Sequence, residues 1–374
     1  MDPSKIAVHI LVGELSTDHA VSDSLLLTNE YGKEEQRQDL STALRRAAFA
    51  QVTIHSTNLE NFRDLLDGLV RESDRLKADG CQLVLLNLID GTEVDGYPGL
   101  TVIRYIETLN VPFTGSDATF YHISTSKPRL KQALLNHHVA TPKYVEVRSK
   151  KTVQEDVISA GELTGFPLII KPSISYASYG ISDQSVVHNA QDAIRHIEKL
   201  LLDEPASDGI FLEKFLSGRE FTVLVTGSSA TGVKVFPAVE RVFNESLPVE
   251  KRFLAFERYW SGYDLAGNEP TTRVYEYRIA SEKDQETLQQ LARDAYLALG
   301  GSGYARVDIR EDGPGSSQLY VLEVNAQCGV AFSSSSTMGE ILAISKTAPE
   351  DFLSRLIEFA LIRNQFPQTN EKAS

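Results

Sequence analysis

The chain has 374 residues, 42% hydrophobic and 24% charged, which is the balance of a folded globular protein too long for one ordinary core and suited to two or three packed units. Its 37 Lys and Arg face 51 Asp and Glu, a net charge of -14, which argues against general affinity for nucleic acid or an anionic membrane, so any polyanion must be bound locally. Two separate cysteines, Cys81 and Cys328, exclude a disulfide framework and a zinc cluster, no run approaches the roughly 18 apolar residues of a membrane span, and no cleavable apolar leader is visible, so a cytosolic protein is expected.

From Ile6 to about Gly115, strand-like runs (Ile6 to Val12, Val52 to Ile54, Leu83 to Ile89) alternate with helical stretches (Leu40 to Phe49, Leu59 to Leu76), predicting α/β wiring around a parallel sheet. The loop from Asp90 to Gly99 follows one of these strands, at the edge where such sheets bind ligands, although a plain surface loop reads the same way. A second unit, beginning near Ser116, is predicted to hold helix Pro128 to His137, strand Tyr144 to Val147, helix Val153 to Thr164, strand Phe166 to Ile170 and helix Asn189 to Leu202. Strand Ile210 to Leu216 leads into a third unit with strands Phe221 to Val225, Val233 to Val239 and Val274 to Ile279. Its helix, Glu282 to Leu299, is expected to start at an N-cap Ser281 and to bury Leu288, Leu291, Ala292, Ala295 and Leu299. The stretch from Arg241 to Arg273 is polar and aperiodic, as a lid or a long connection would be, and the last eight residues suit a frayed tail.

Chemistry concentrates late in the chain. The β-patterned runs Tyr304 to Ile309 and Leu319 to Asn325 flank a turn-rich Glu311 to Ser317 and are expected to pair as a hairpin. Strand alternation puts Arg306 on one face with Asp308, and Glu323 on one face with Asn325. Two carboxylates and an amide oxygen suit Mg²⁺ or Mn²⁺ beside a polyphosphate, and a nearby Arg suits developing negative charge; a solvated sheet face would show the same alternation. Lys171, closing an apolar strand before a small-residue loop, can neutralise phosphate, but such a lysine is also common on a solvated surface. Glu213 and Glu220 lie around a turn with backbone available to a base edge, or form a salt-bridged connection, while Ser333 to Thr337 could hold a carboxylate or be a plain loop. The absence of Gly-x-Ser-x-Gly, GxGxxG and GxxxxGK[ST] removes the nucleophile-elbow, dinucleotide and P-loop readings.

In order and spacing, these segments resemble the ATP-grasp superfamily, and within it the D-alanine–D-alanine ligase family. The likeness spans residues 6 to 363 and rests on Val111 to Ser116, Ser126 to Lys131, Ile170-Lys171-Pro172, Leu212-Glu213-Lys214 with Gly218-Arg219-Glu220, Arg306-Val307-Asp308 and Leu322 to Asn325. It implies an α/β and α+β fold with ATP held between two β-sheets, divided into an α/β unit at 1–116, a central unit at 117–209, a catalytic unit at 210–366 and a flexible tail at 367–374.

The resemblance also implies an ATP-dependent carboxylate–amine ligase working through an acyl phosphate, whose partners are an amino acid or other carboxylate and an amine, and it implies a homodimer. Lys127 and Lys171 would meet the phosphates, Glu213, Lys214 and Leu216 the base, and Glu220 the ribose. Asp308, Glu323 and Asn325 would hold two Mg²⁺ ions, and Arg306 would stabilise the oxyanion. Arg258-Tyr259 stands where the family's lid has Lys-Tyr, and Ser334 and Gly329 fall at the substrate. Departures gather at the amino-acid end. Asp18 replaces a Glu that holds an ammonium, Ala177 with Ser178 beside it replaces a phosphate-loop Ser, the loop from Asp90 lacks the family's His, and Cys328 stands in place of Pro. Ligase chemistry on an amino acid or similar acid is therefore the leading expectation. A true D-alanine–D-alanine ligase and a nucleotide-binding regulatory protein without turnover are the alternatives.

Overall fold

The computed structural model describes residues 1–16, 34–93, 95–147, 149–174, 178–202, 209–256, 274–334 and 336–365. Asp18, Ala177, Arg258 and Tyr259 fall outside these residues, as does the tail.

The N-terminal wiring gives a parallel sheet in the order β2-β1-β3, from β1 (Ile6–Gly13), β2 (Gln51–Thr57) and β3 (Gln82–Asn87). A parallel central strand is covered on both faces, which is why β1 is buried along Ile6 to Val12 and apolar there except at His9. Helix α1 (Glu34–Arg46) packs Leu40, Ala43 and Leu44 on one face; α2 (Phe62–Ala78) and α3 (Leu100–Thr108) pack Leu66, Leu69, Val102 and Ile106 on the other. Next come α4 (Ala118–Thr125) and α5 (Lys127–Asn136), with proline in the first turn of α5, where its missing N–H costs nothing.

The second sheet is antiparallel in the order β4-β7-β5-β6: β4 (Tyr144–Val147), β5 (Leu168–Pro172), β6 (Val186–Val187) and β7 (Ile210–Lys214). Helices α6 (Val153–Thr164) and α7 (Ala190–Leu200) bury Val157, Ala160, Ala193 and Ile197 against one face. On the other face Ile169 clusters with Phe215, Ile181 and Phe253.

The third sheet runs β11-β10-β8-β12-β13, with β9 added to β8. Its strands are β8 (Glu220–Ser228), β9 (Gly232–Val235), β10 (Val239–Phe243), β11 (Tyr275–Ile279), β12 (Ser302–Glu311) and β13 (Leu319–Ala326). The single strand expected over Val233 to Val239 is two, separated around Pro237, which has no N–H for the ladder. Arg241 to Phe243 thus belong to β10, not to the lid-like stretch expected there. Helix α8 (Glu282–Ala298) covers one face through Leu288, Ala292 and Ala295; Ser281 stands at its cap position, but its hydroxyl donates to Asp284 instead of receiving a backbone N–H. Last come α9 (Thr337–Ile344) and α10 (Pro349–Gln365), the latter joining the first and third sheets in one core through Leu353, Leu356 and Ile357.

Gln327 locks the N-terminal unit to the end of β13. Its carbonyl oxygen accepts from the Ser116 N–H (3.0 Å) and hydroxyl (3.2 Å), its amide donates to the Ile89 carbonyl, and the residue is 1% exposed. Gln327→Leu strands these buried groups, and a loss of about 1–3 kcal/mol is expected in denaturant titration, where an unchanged midpoint would show the contact to be idle.

Candidate active site

A cleft of about 180 Å³ lies where the second and third sheets face one another, closed on one side by the loop after β3. Its walls hold Lys127, Lys171, Ser178, Glu213, Lys214, Leu216, Glu220, Arg306, Asp308, Glu323, Asn325 and Gly329, twelve positions singled out from the sequence. Ser334 is exposed beyond these walls. Asp90, Thr92 and Cys328, from segments that depart from the family pattern, line the cleft as well.

At the second sheet, Glu213 is 1% exposed and sits between Lys171 (2.6 Å) and Lys131 (2.9 Å). Burial alone would raise this carboxyl, but the two ammonium groups override it and hold it at about 2. The Glu213 side chain is thus held in a salt-bridged cluster, with both oxygens facing lysines. Burial presses Lys127 and Lys131 downward, whereas Lys171, with Glu213 on one side and Glu323 at 3.9 Å on the other, is raised despite its burial. Three lysines thus surround two carboxylates; Lys127 and Lys171 line the cleft, and Lys131 is buried against Glu213. Lys131 was missed in the sequence, although it lies four residues from Lys127 on α5, the spacing that places two side chains on one face. Lys214 turns away to Asp312 at 2.5 Å.

The hairpin forms in the expected register, with Arg306 opposite Asn325 and Asp308 opposite Glu323. An irregularity beside Asp308 leaves Leu322 as the extra residue of β13. Asp308 accepts from the Thr222 hydroxyl (2.7 Å), the Arg306 Nε (3.2 Å) and the Asn325 amide (3.0 Å). Burial would raise its carboxyl, but Arg306, Arg241 and Thr222 bring it below the usual range. Among the described residues, no three His, Cys, Asp or Glu side chains converge as a complete metal cage. The oxygen set is two carboxylates completed by an amide, and reversing the Asn325 amide would present its oxygen.

Glu220 is flanked by register: Arg241 on β10 and Arg310 on β12 both stand opposite it. Each of its oxygens takes a guanidinium, Arg241 on one and Arg310 at 2.9 Å on the other, so it offers the cleft a neutralised carboxylate. Both arginines were missed, because Arg241 fell in the stretch expected to be lid-like and Arg310 lay just past the predicted strand Tyr304 to Ile309.

The chain therefore has the architecture of an ATP-grasp ligase. A family model described as "D-ala D-ala ligase C-terminus" matches residues 134–358. The D-alanine–D-alanine ligase of Xanthomonas axonopodis pv. citri (strain 306) is 29% identical over 250 residues, 66% of this chain and 69% of its own length. D-alanine–D-alanine ligase B of Xanthomonas campestris pv. campestris is 27% identical over 266 residues, 71% of this chain and 74% of its own. The crystal structure of the Bacillus anthracis D-alanine–D-alanine ligase complexed with ATP shares the fold, with a TM-score of 0.64 at 18% identity over 96% of this chain and 98% of that one. This chain belongs to the D-alanine–D-alanine ligase family and is an ATP-dependent ligase forming a carbon–nitrogen bond. No helix among the described residues is long and apolar enough to cross a membrane.

Proposed function

We propose that the chain activates the carboxylate of an amino acid with ATP and couples it to the amine of a second small molecule. The carboxylate oxygen takes the γ-phosphoryl group, leaving ADP and an acyl phosphate; the amine nitrogen then attacks the acyl carbon, phosphate departs and the nitrogen loses a proton. The observation that carries this reading is the pair Lys127 and Lys171, backed by the Glu213–Lys131 ion pair, facing the Asp308–Glu323–Asn325 hairpin across one cleft. Bringing an anionic acid to a polyphosphate needs such cations, and positioning supplies most of the remaining acceleration.

Lys127 and Lys171 fit a polyphosphate, and the hard oxygens of Asp308, Glu323 and Asn325 fit Mg²⁺ or Mn²⁺, which would supply charge neutralisation there. On this assignment Glu220 lies at the sugar through its guanidinium-held carboxylate, Leu216 and Phe215 border the base, and Arg306 faces the acyl group. Gly329 and Ser334 serve the amino-acid carboxylate, with Asp18, Ser178 and Tyr259 completing that end and Arg258 serving the nucleotide. D-alanine, named for the relatives, is the first substrate to try; Asp18, Asp90 and Cys328 favour an acid or amine of different shape.

The test is the full chain with ATP, Mg²⁺ and pooled D- and L-amino acids, followed by phosphate release and product mass. One condensed mass identifies both partners, and no phosphate from any pool would sink the reading. Chelation is expected to abolish turnover, and Glu323→Gln to raise the Mg²⁺ needed for half-activity about tenfold or more. An unmoved titration would remove Glu323 from the metal set.

A further inference from the structure

One row of polar side chains crosses the third sheet on a single face, and the reaction proposed above leaves most of it unused. Strand register sets it out: Tyr277 on β11 stands opposite Arg241 on β10, Arg241 opposite Glu220 on β8, and Glu220 opposite Arg310 on β12. Each link is a hydrogen bond. Arg310 donates to Glu220 at 2.9 Å and also to the Arg252 carbonyl, while Arg241 donates to the other Glu220 oxygen. Arg241 then reaches the Tyr277 oxygen with Nε (3.1 Å) and Nη2 (2.8 Å), and that oxygen lies 2.9 Å from Thr337 Oγ1.

The proton of Tyr277 can be assigned. A phenolic oxygen has two lone pairs and one hydrogen; both lone pairs receive Arg241 donors, so the hydrogen points to Thr337. Thr337 is the first residue of α9, capped by Ser336, whose hydroxyl also donates to the carbonyls of Ala331 and Ser333. The row therefore starts at Glu220 and Arg310 in the cleft wall and ends on the turn that carries Ser333 and Ser334.

We propose that Tyr277 is a positioning residue that couples the nucleotide end of the cleft to the serine turn, so that nucleotide against Glu220 and Arg310 orders the segment receiving the amino-acid carboxylate. The inference rests on the ligase reading above. Its physical content is that Glu220 and both guanidiniums are buried, so a ligand that moves one member must move its partners or break bonds made at low dielectric. Tyr277 does not itself line the cleft and reaches it only through Arg241, which separates this role from binding.

The experiment uses the full chain and a non-hydrolysable ATP analogue, following amide hydrogen exchange over residues 336–340. In wild type, nucleotide is expected to slow exchange there, with no amino acid added. Tyr277→Phe and Thr337→Val are expected to diminish that response by about fivefold or more, the lower range of measured site-to-site coupling, while the Kd for the analogue moves less than about twofold. Thr337→Ser keeps the hydroxyl and is expected to keep the response. In turnover, the KM for the acid rises in Tyr277→Phe and Thr337→Val while the KM for ATP holds. A response that survives in Tyr277→Phe, or a Thr337→Ser variant as silent as the valine, overturns the coupling. If wild type does not bind the analogue, the ligase reading falls and the coupling with it.

Discussion

Glu213→Gln is expected to destabilise the chain by about 3–5 kcal/mol, measured by denaturant unfolding at neutral pH. The wild-type carboxylate is buried with one lysine on each oxygen, at 2.6 and 2.9 Å. Removing its charge leaves two buried ammonium groups without the anion that offsets their desolvation. The cost is that of stranded charge, not evidence that the triad adds net stability. Glu213→Leu combined with Lys131→Met should recover the part of the loss that comes from Lys131, since packed apolar groups carry no such penalty, while the part from Lys171, left with Glu323 at 3.9 Å, remains.

The pH dependence has a definite sign. With two lysines outweighing burial, the native carboxyl titrates at about 2, against roughly 4.3 for an unfolded glutamate. Its contribution is present above the unfolded value and is lost as pH falls towards the native one. The stability gap between wild type and Glu213→Gln should thus narrow from pH 5 towards pH 2. A constant gap would mean that the carboxylate is not paired as described.

Much of this site was legible because strands reveal chemistry through alternation. Arg306, Asp308, Glu323 and Asn325 sit two apart in β-patterned runs around a turn, and two periods plus one turn determine their meeting. Lys171 was marked by its place at the end of an apolar run. What sequence could not supply was pairing between strands distant in the chain. Glu220 is bracketed by Arg241, which follows it by 21 residues, and by Arg310, 90 residues on; only the order β10-β8-β12 makes them neighbours. The same lack of register left the two lysine partners of Glu213 unseen. Helices α3, α4, α9 and α10 also escaped the sequence reading. The first three are short, and α4 and α9 have weak amphipathic patterns because neighbours surround them on several sides.

Arg306→Ala should separate chemistry from folding in the opposite way. The guanidinium lies along Asp308, but that carboxylate keeps its bonds to Thr222 (2.7 Å) and Asn325 (3.0 Å) and retains Arg241 nearby. Loss of Arg306 therefore strands no buried anion, and unfolding should change by no more than about 1–2 kcal/mol. Turnover is another matter. A group that stabilises charge developing at the acyl centre contributes to the transition state and little to the ground state, so kcat is expected to fall by about 10²–10³ with the KM for ATP nearly unmoved. Arg306→Lys keeps the charge without the planar fork and should lie between the two, closer to alanine if two-point contact matters more than charge. If Arg306→Ala instead raises the KM for ATP and leaves kcat alone, the side chain holds the nucleotide, and the oxyanion role passes to another cation in the cleft.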